Sequence, residues 1–247
     1  PGPQHTPNTD MNVSEPSSDS GGALERPRAD NLPPIWNLRH ERDASFVDRS
    51  EDLDALRSQL RRDHVVIVNE GPASVGGMGK SALAREYAYR YAPKYQVAWW
   101  IQGEEPGVLH LGFTQLMTAL NLLRRVPDEP PHSKESVREF LQRHGGWLLV
   151  IDGLDDLAAL DELLPAAPGG HIIVTTLVGA GASAHPVLHL APLATGDGVA
   201  YLKKHFPEAS ESLLASVAGY SAGSPLNVHL LAHLAKATGS SLDDLPD

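Results

Sequence analysis

A glycine-rich run, Ser74-Val75-Gly76-Gly77-Met78-Gly79-Lys80-Ser81, stands between a β-branched stretch, His64-Val65-Val66-Ile67-Val68, and good helix formers from Ala82 to Tyr91 that Pro93 stops. Strand, glycine loop, Gly-Lys-Ser and helix in that order make a P-loop, in which several backbone N–H groups converge on a phosphate. Such convergence needs residues without a Cβ. On this reading the amides of Gly76, Gly77, Met78, Gly79, Lys80, Ser81 and Ala82 cradle phosphate at a helix N-terminus. Lys80 would neutralise β- and γ-phosphate charge, and the Ser81 hydroxyl would help to hold Mg²⁺. The strict pattern asks for glycine where this chain has Ser74. Gly71 and Pro72 weaken sheet pairing ahead of the loop, so the strand is expected to end early and leave a longer lead-in.

The rest of the chain repeats the strand-helix alternation. Strand-like runs occur at Gln96–Ile101, Trp147–Asp152, His171–Thr176 and Val187–Leu190, with helical patterns near 108–123, 134–143 and 158–164 between them. An earlier helix, Glu51 to Arg61, places Leu53, Leu56 and Leu60 on one face. This order predicts an α/β fold, a three-layer P-loop NTPase domain with a five-stranded parallel sheet. Beyond Pro192 only helical patterns follow, at 196–205, 210–219 and 225–237. The expected domains are a linker or tail at 1–34, a P-loop nucleotide-binding domain at 35–191 and a small helical subdomain at 192–247. The first segment is rich in Pro, Ser, Gly and Asp and cannot bury enough surface to offset its ordering entropy.

Composition narrows the partners. A net charge of −11 over 247 residues argues against nonspecific nucleic-acid or anionic-membrane binding, both of which want a basic face. Without cysteine there is no disulfide framework, thiolate-ligated zinc or thiol nucleophile. No apolar run approaches the roughly 20 residues that span a bilayer. A cytoplasmic protein is therefore expected.

A P-loop site also needs a carboxylate at the end of a neighbouring strand to hold Mg²⁺, and Asp152 closes the apolar run from Trp147. Asp155 and Asp156 follow; either could polarise an attacking water, or both could cap the next helix. His229 and His233 have metal-ligand spacing on one helix, but without a third ligand they read as solvated. Trp99 and Trp100 read as one indole on each face of a strand.

Taken together, Phe46-Val47-Asp48-Arg49, the P-loop, Leu148 to Asp156, Ile172 to Thr176, Leu190-Ala191-Pro192-Leu193 and Gly223-Ser224-Pro225-Leu226 resemble the NB-ARC domains of the STAND class of signal-transduction ATPases. The likeness covers about residues 35 to 240. The lead-in Leu32 to Asn37 is most similar to bacterial members that carry an effector domain ahead and tetratricopeptide repeats behind, parts the resemblance implies in cis. It also implies bound ADP or ATP with Mg²⁺, Val47 and Arg49 against the adenine, Pro225 covering the nucleotide from the helical subdomain, and homo-oligomerisation on activation. Catalytic roles fall to Lys80, Asp152 and Asp155, and metal contacts to Ser81 and Asp152.

Two departures bear on turnover. Leu177 stands where the family has an arginine that senses the γ-phosphate, and Gly153 follows the Mg²⁺ aspartate where many relatives have an acid or amide. Loss of a charged clamp costs several kcal/mol of transition-state stabilisation. The expected function is a nucleotide switch of a signalling or defence protein, a weak ATPase at most. A non-catalytic scaffold with trapped ADP or no nucleotide is the alternative, and the ATPase part of a transcription factor a third.

Overall fold

Among the described residues six parallel strands make one sheet, and their sequences show why both faces are covered. The computed structural model describes residues 33–38, 41–43, 46, 49–71, 76–120, 133–160, 164–165, 168–179 and 183–238. The strands are β1 (Ile35–Trp36), β2 (Val65–Glu70), β3 (Val97–Gln102), β4 (Trp147–Asp152), β5 (His171–Thr175) and β6 (Val187–Leu190), in the order β1-β3-β4-β5-β2-β6. Alternate residues feed two cores. Val65, Ile67, Leu149, Ile151, Ile172 and Val174 face one side, where Phe113, Leu116 and Met117 of α3 (Pro106–Ala119) and Leu141 of α4 (Ser133–Arg143) cover them. Val66, Val68, Leu148, Val150 and Ile173 face the other, under Leu53, Leu56 and Leu60 of α1 (Ser50–Asp63) and Leu83, Ala84 and Tyr87 of α2 (Lys80–Arg90). Strands buried on both faces read as unbroken apolar runs, which is why these were visible in the sequence.

Two features differ from expectation. A sixth strand, β1, joins the edge beside β3 and is too short to carry a periodic signal. Asn37 prolongs the pairing with its side chain, accepting from Trp100 N at 2.5 Å and donating to Trp100 O at 3.2 Å. The P-loop strand does not end early: β2 continues through Asn69 and Glu70, paired to His189 and Leu190 of β6. Residues 72–75, including Ser74, lie outside the described residues, as do Val47, the tail 1–32, the stretch 121–132 and residues 161–163 of the expected short helix.

After β6 come α5 (Thr195–His205), α6 (Glu211–Tyr220) and α7 (Pro225–Thr238). They close on their own core of Tyr201, Leu202, Leu214, Val217, Val228 and Ala232. Ser210 caps α6, its hydroxyl accepting from Leu213 N. Among the described residues no helix is long and apolar enough to cross a membrane.

Candidate nucleotide-binding site

The carboxyl ends of β2, β4 and β5 lie along one edge of the sheet, the edge where open α/β sheets take ligands. Gly76, Gly77 and Gly79 there have φ of +90°, +77° and +93°. Gly77 admits no side chain: a Cβ on it would stand 2.8 Å from Leu226 Cβ and 3.0 Å from Ser224 Oγ. That close approach seats the start of α7 on the loop. Leu226 N donates to Gly77 O at 3.3 Å, and Ser224 Oγ donates to the same oxygen at 3.4 Å.

Lys80 is the first residue of α2 and only 8% exposed. A cation so buried needs a partner, and Glu70, 7% exposed at the end of β2, is ion-paired to it. The same Glu70 oxygen accepts from Met78 N at 3.2 Å. One carboxylate thus takes hydrogen bonds from both the lysine and an amide of the glycine loop. Nothing in the motif reading pointed to Glu70, because the P-loop pattern begins after it.

Asp152 is held by two hydroxyls. Ser81 Oγ donates to its Oδ1 at 2.6 Å and Thr175 Oγ1 to the same atom at 2.5 Å, while Gly153 N donates to Thr175 Oγ1 at 2.9 Å. The acid does not come from the strand next to β2, as expected: β5 lies between, pairing with β2 on one side and β4 on the other. Strand order cannot be read from one sequence, and Thr175 was missed for the same reason, since its role depends on β5 occupying that place. The oxygens of Ser81 and Asp152 are the hard donors that Mg²⁺ takes. Among the described residues no group of three or more His, Cys, Asp or Glu could hold a metal alone.

Glu70, Lys80 and Ser81 line a cleft of about 330 Å³, which Asp152 adjoins through its bond with Ser81. Gly77, Gly79, Lys80, Ser81 and Ala82 form the floor, Asp43, Phe46 and Arg49 one side, and Tyr201, Pro225, Val228 and His229 the roof. Pro225 opens α7, where the missing N–H costs nothing. Arg49 lines the cleft, but its guanidinium is engaged in bracing. Nη1 and Nη2 each donate to Ala191 O at 3.1 Å, Nη2 donates to Met78 O at 3.1 Å, and Nη1 pairs with Asp52 at 2.8 Å.

The other sequence candidates fall elsewhere. Asp155 is exposed and does not line the cleft. Asp156 Oδ1 accepts from Ala158 N at 3.0 Å, the local capping role weighed for it. Leu177 is 70% exposed and brings no donor to the cleft. His229 departs from the solvated reading: it is partly buried, lines the roof and shares a 2.6 Å hydrogen bond between its Nδ1 and the Tyr201 hydroxyl. The i, i+4 spacing showed only its neighbour His233 on the same helix, whereas Tyr201 approaches from α5.

No family model matches the sequence, and no curated protein matches it. Solved structures do. A STAND protein with a tetratricopeptide repeat sensor, PH0952 from Pyrococcus horikoshii, aligns over 87% of this chain at 18% identity and a TM-score of 0.59; the chain spans only 32% of that protein. The Walker-type ATPase PABY2304 of Pyrococcus abyssi aligns over 84% of this chain and 72% of its own at 13% identity, TM-score 0.58. The ADP form of the Aeropyrum pernix ORC2 protein aligns over 87% of this chain and 69% of its own at 13% identity, TM-score 0.52. At such identities the likeness is one of fold, and the fold is that of P-loop ATPases.

Proposed function

We propose that this chain is the nucleotide-binding switch module of a STAND-type protein, of the NB-ARC kind, taking ADP or ATP with Mg²⁺ in the cleft between sheet edge and helical roof. The observation that carries this reading is a cleft lined by a buried lysine at a helix start, by glycines at positive φ and by a serine beside that lysine whose hydroxyl is bonded to an aspartate at a strand end. The positive-φ turns at glycines 76, 77 and 79 would aim the loop amides at phosphate oxygens, and the α2 N-terminus favours their charge. Lys80 binds them as a point cation. Ser81 and Asp152 hold the metal, whose charge offsets that of the phosphates. Phe46 and Tyr201 offer apolar surface for a base, and Pro225 and His229 close the cleft from α7. The chemistry the nucleotide brings is a presence or absence of γ-phosphate, to which a roof resting on the loop through Gly77 responds by moving or staying.

Titration with Mg·ADP tests the reading: Lys80→Ala is expected to weaken binding by about a hundredfold, in keeping with removal of a charged partner. Unchanged affinity would remove Lys80 from the phosphate site. A leucine at position 177 has no donor to offer a γ-phosphate, which favours slow or absent hydrolysis and so keeps a second reading in play, a scaffold holding ADP without turnover. Phosphate release followed over hours against the Lys80→Ala control separates the two. Release above the control rules out the scaffold. The STAND likeness supports an effector and a repeat sensor in the same polypeptide and oligomerisation on activation.

A further inference from the structure

A nucleotide phosphate in a P-loop accepts hydrogen bonds from the loop amides and the loop lysine. Glu70 does both. Its Oε1 accepts from Met78 N at 3.2 Å and is ion-paired to Lys80 Nζ, and Glu70 itself lines the cleft. The carboxylate is therefore an internal anion among the donors a phosphate would use. It is also held there by the fold. Glu70 is the last residue of β2, in register with Leu190 of β6, so its backbone is fixed by the sheet while its side chain reaches the loop. Asn69 anchors the preceding residue: its Nδ2 donates to Thr176 O at 3.1 Å and to Val178 O at 2.8 Å.

We propose that Glu70 is a built-in competitor for the phosphate-binding lysine, and that nucleotide enters by exchanging one carboxylate for one phosphate on Lys80 and the Met78 amide. The proposal rests on the nucleotide reading of this cleft. Two consequences follow. Only ligands bearing enough phosphate charge to displace a buried carboxylate bind, so a nucleoside without phosphate gains nothing from Lys80. The fraction of molecules with Lys80 free sets the apparent affinity, because a binding-competent state populated one part in ten weakens the apparent Kd about tenfold. Nucleotide loss is self-sealing, since Glu70 returns to the lysine as the phosphate leaves.

The test is the affinity for Mg·ADP of the wild type, Glu70→Gln, Lys80→Ala and the double variant, by calorimetry. Glu70→Gln keeps the shape and removes the competing charge, and is expected to tighten binding about tenfold or more. In the Lys80→Ala background the same change is expected to give little or no gain. Equal or weaker binding by Glu70→Gln in a protein whose wild type binds ADP overturns the competition and leaves the nucleotide reading standing. Absence of ADP binding by the wild type and by Glu70→Gln alike overturns both. Binding by Glu70→Gln alone, lost again in the double variant, supports both. A crystal structure of the wild type with Mg·ADP gives a check that needs no variant. Lys80 on the β-phosphate with Glu70 moved off it supports the exchange; Lys80 still paired to Glu70 in the loaded protein overturns it.

Discussion

At the scale of single residues, the aspartate that would hold the metal is set by its neighbours. Oδ1 of Asp152 receives Ser81 Oγ and Thr175 Oγ1 together, and Thr175 passes the constraint on by accepting from Gly153 N. Thr175 is 1% exposed, so a loss there cannot be repaired by bulk water. Thr175→Val keeps the shape and removes the donor. It is expected to cost about 1–2 kcal/mol of stability by leaving Gly153 N and the carboxylate short of partners. It is also expected to raise about tenfold the Mg²⁺ concentration needed for tight ADP binding, as loss of a group that orients a metal ligand does. Thr175→Ser is expected to restore both. A Mg²⁺ dependence in Thr175→Val equal to that of the wild type would show that Ser81 alone orients the acid. Lys80, Ser81 and Asp152 were legible because the chemistry fixes residue type and local spacing together. Glu70, Thr175, Tyr201 and His229 were not: each is an ordinary residue made significant by what the fold brings beside it.

At the scale of elements, what decides the site is a helix resting on a loop. α7 begins at Pro225 and makes its first contacts with the backbone of Gly77, through Leu226 N and Ser224 Oγ. Gly77→Ala would meet two costs at once. Its φ of +77° is disfavoured for any residue with a Cβ, and the new methyl would overlap Leu226 Cβ. Together these come to about 2 kcal/mol or more. The cheaper response is for α7 to lift. The expected outcome is faster hydrogen exchange at the Leu226 amide, with the β4 and β5 amides still protected. Unaltered protection at Leu226 would mean that the loop, rather than the helix, absorbs the strain. The elements also show where sequence reading stops. β2 is expected to end early because Gly71 and Pro72 weaken sheet pairing, yet it runs on through two polar residues that are both buried and paired, Asn69 with two carbonyls and Glu70 with Lys80. A buried polar residue can extend a strand when the far side of the fold supplies its partner. That partner is invisible locally.

At the scale of the whole molecule, two histidines tie stability to pH. His171 opens β5 with its Nδ1 in a 2.7 Å hydrogen bond with the Tyr95 hydroxyl. Burial pushes its pKa below the usual 6.5, and the nearby His64 and Arg61 push the same way. His205 ends α5, its Nδ1 3.1 Å from Lys236 Nζ on α7 and its Nε2 buried without a hydrogen-bond partner. Burial lowers its pKa first, and Lys236, His233, His229 and Lys204 lower it further. Near pH 7.5 both rings are neutral in the folded and unfolded chain alike, and neither makes stability pH-dependent. As pH falls below about 6.5 the unfolded chain takes up protons that the folded one refuses, so stability falls with pH until the lowered folded values are reached. The expected result is a melting temperature that drops between pH 7.5 and pH 5. His171→Gln and His205→Gln are each expected to flatten part of that drop, since glutamine does not titrate. The two residues lie in different parts of the fold, His171 at the start of β5 and His205 at the end of α5, so their contributions are expected to add. If the helical unit melts separately, His205→Gln changes only its transition and His171→Gln only that of the sheet. A pH profile the same in both variants as in the wild type would place the acid sensitivity in the carboxylates instead.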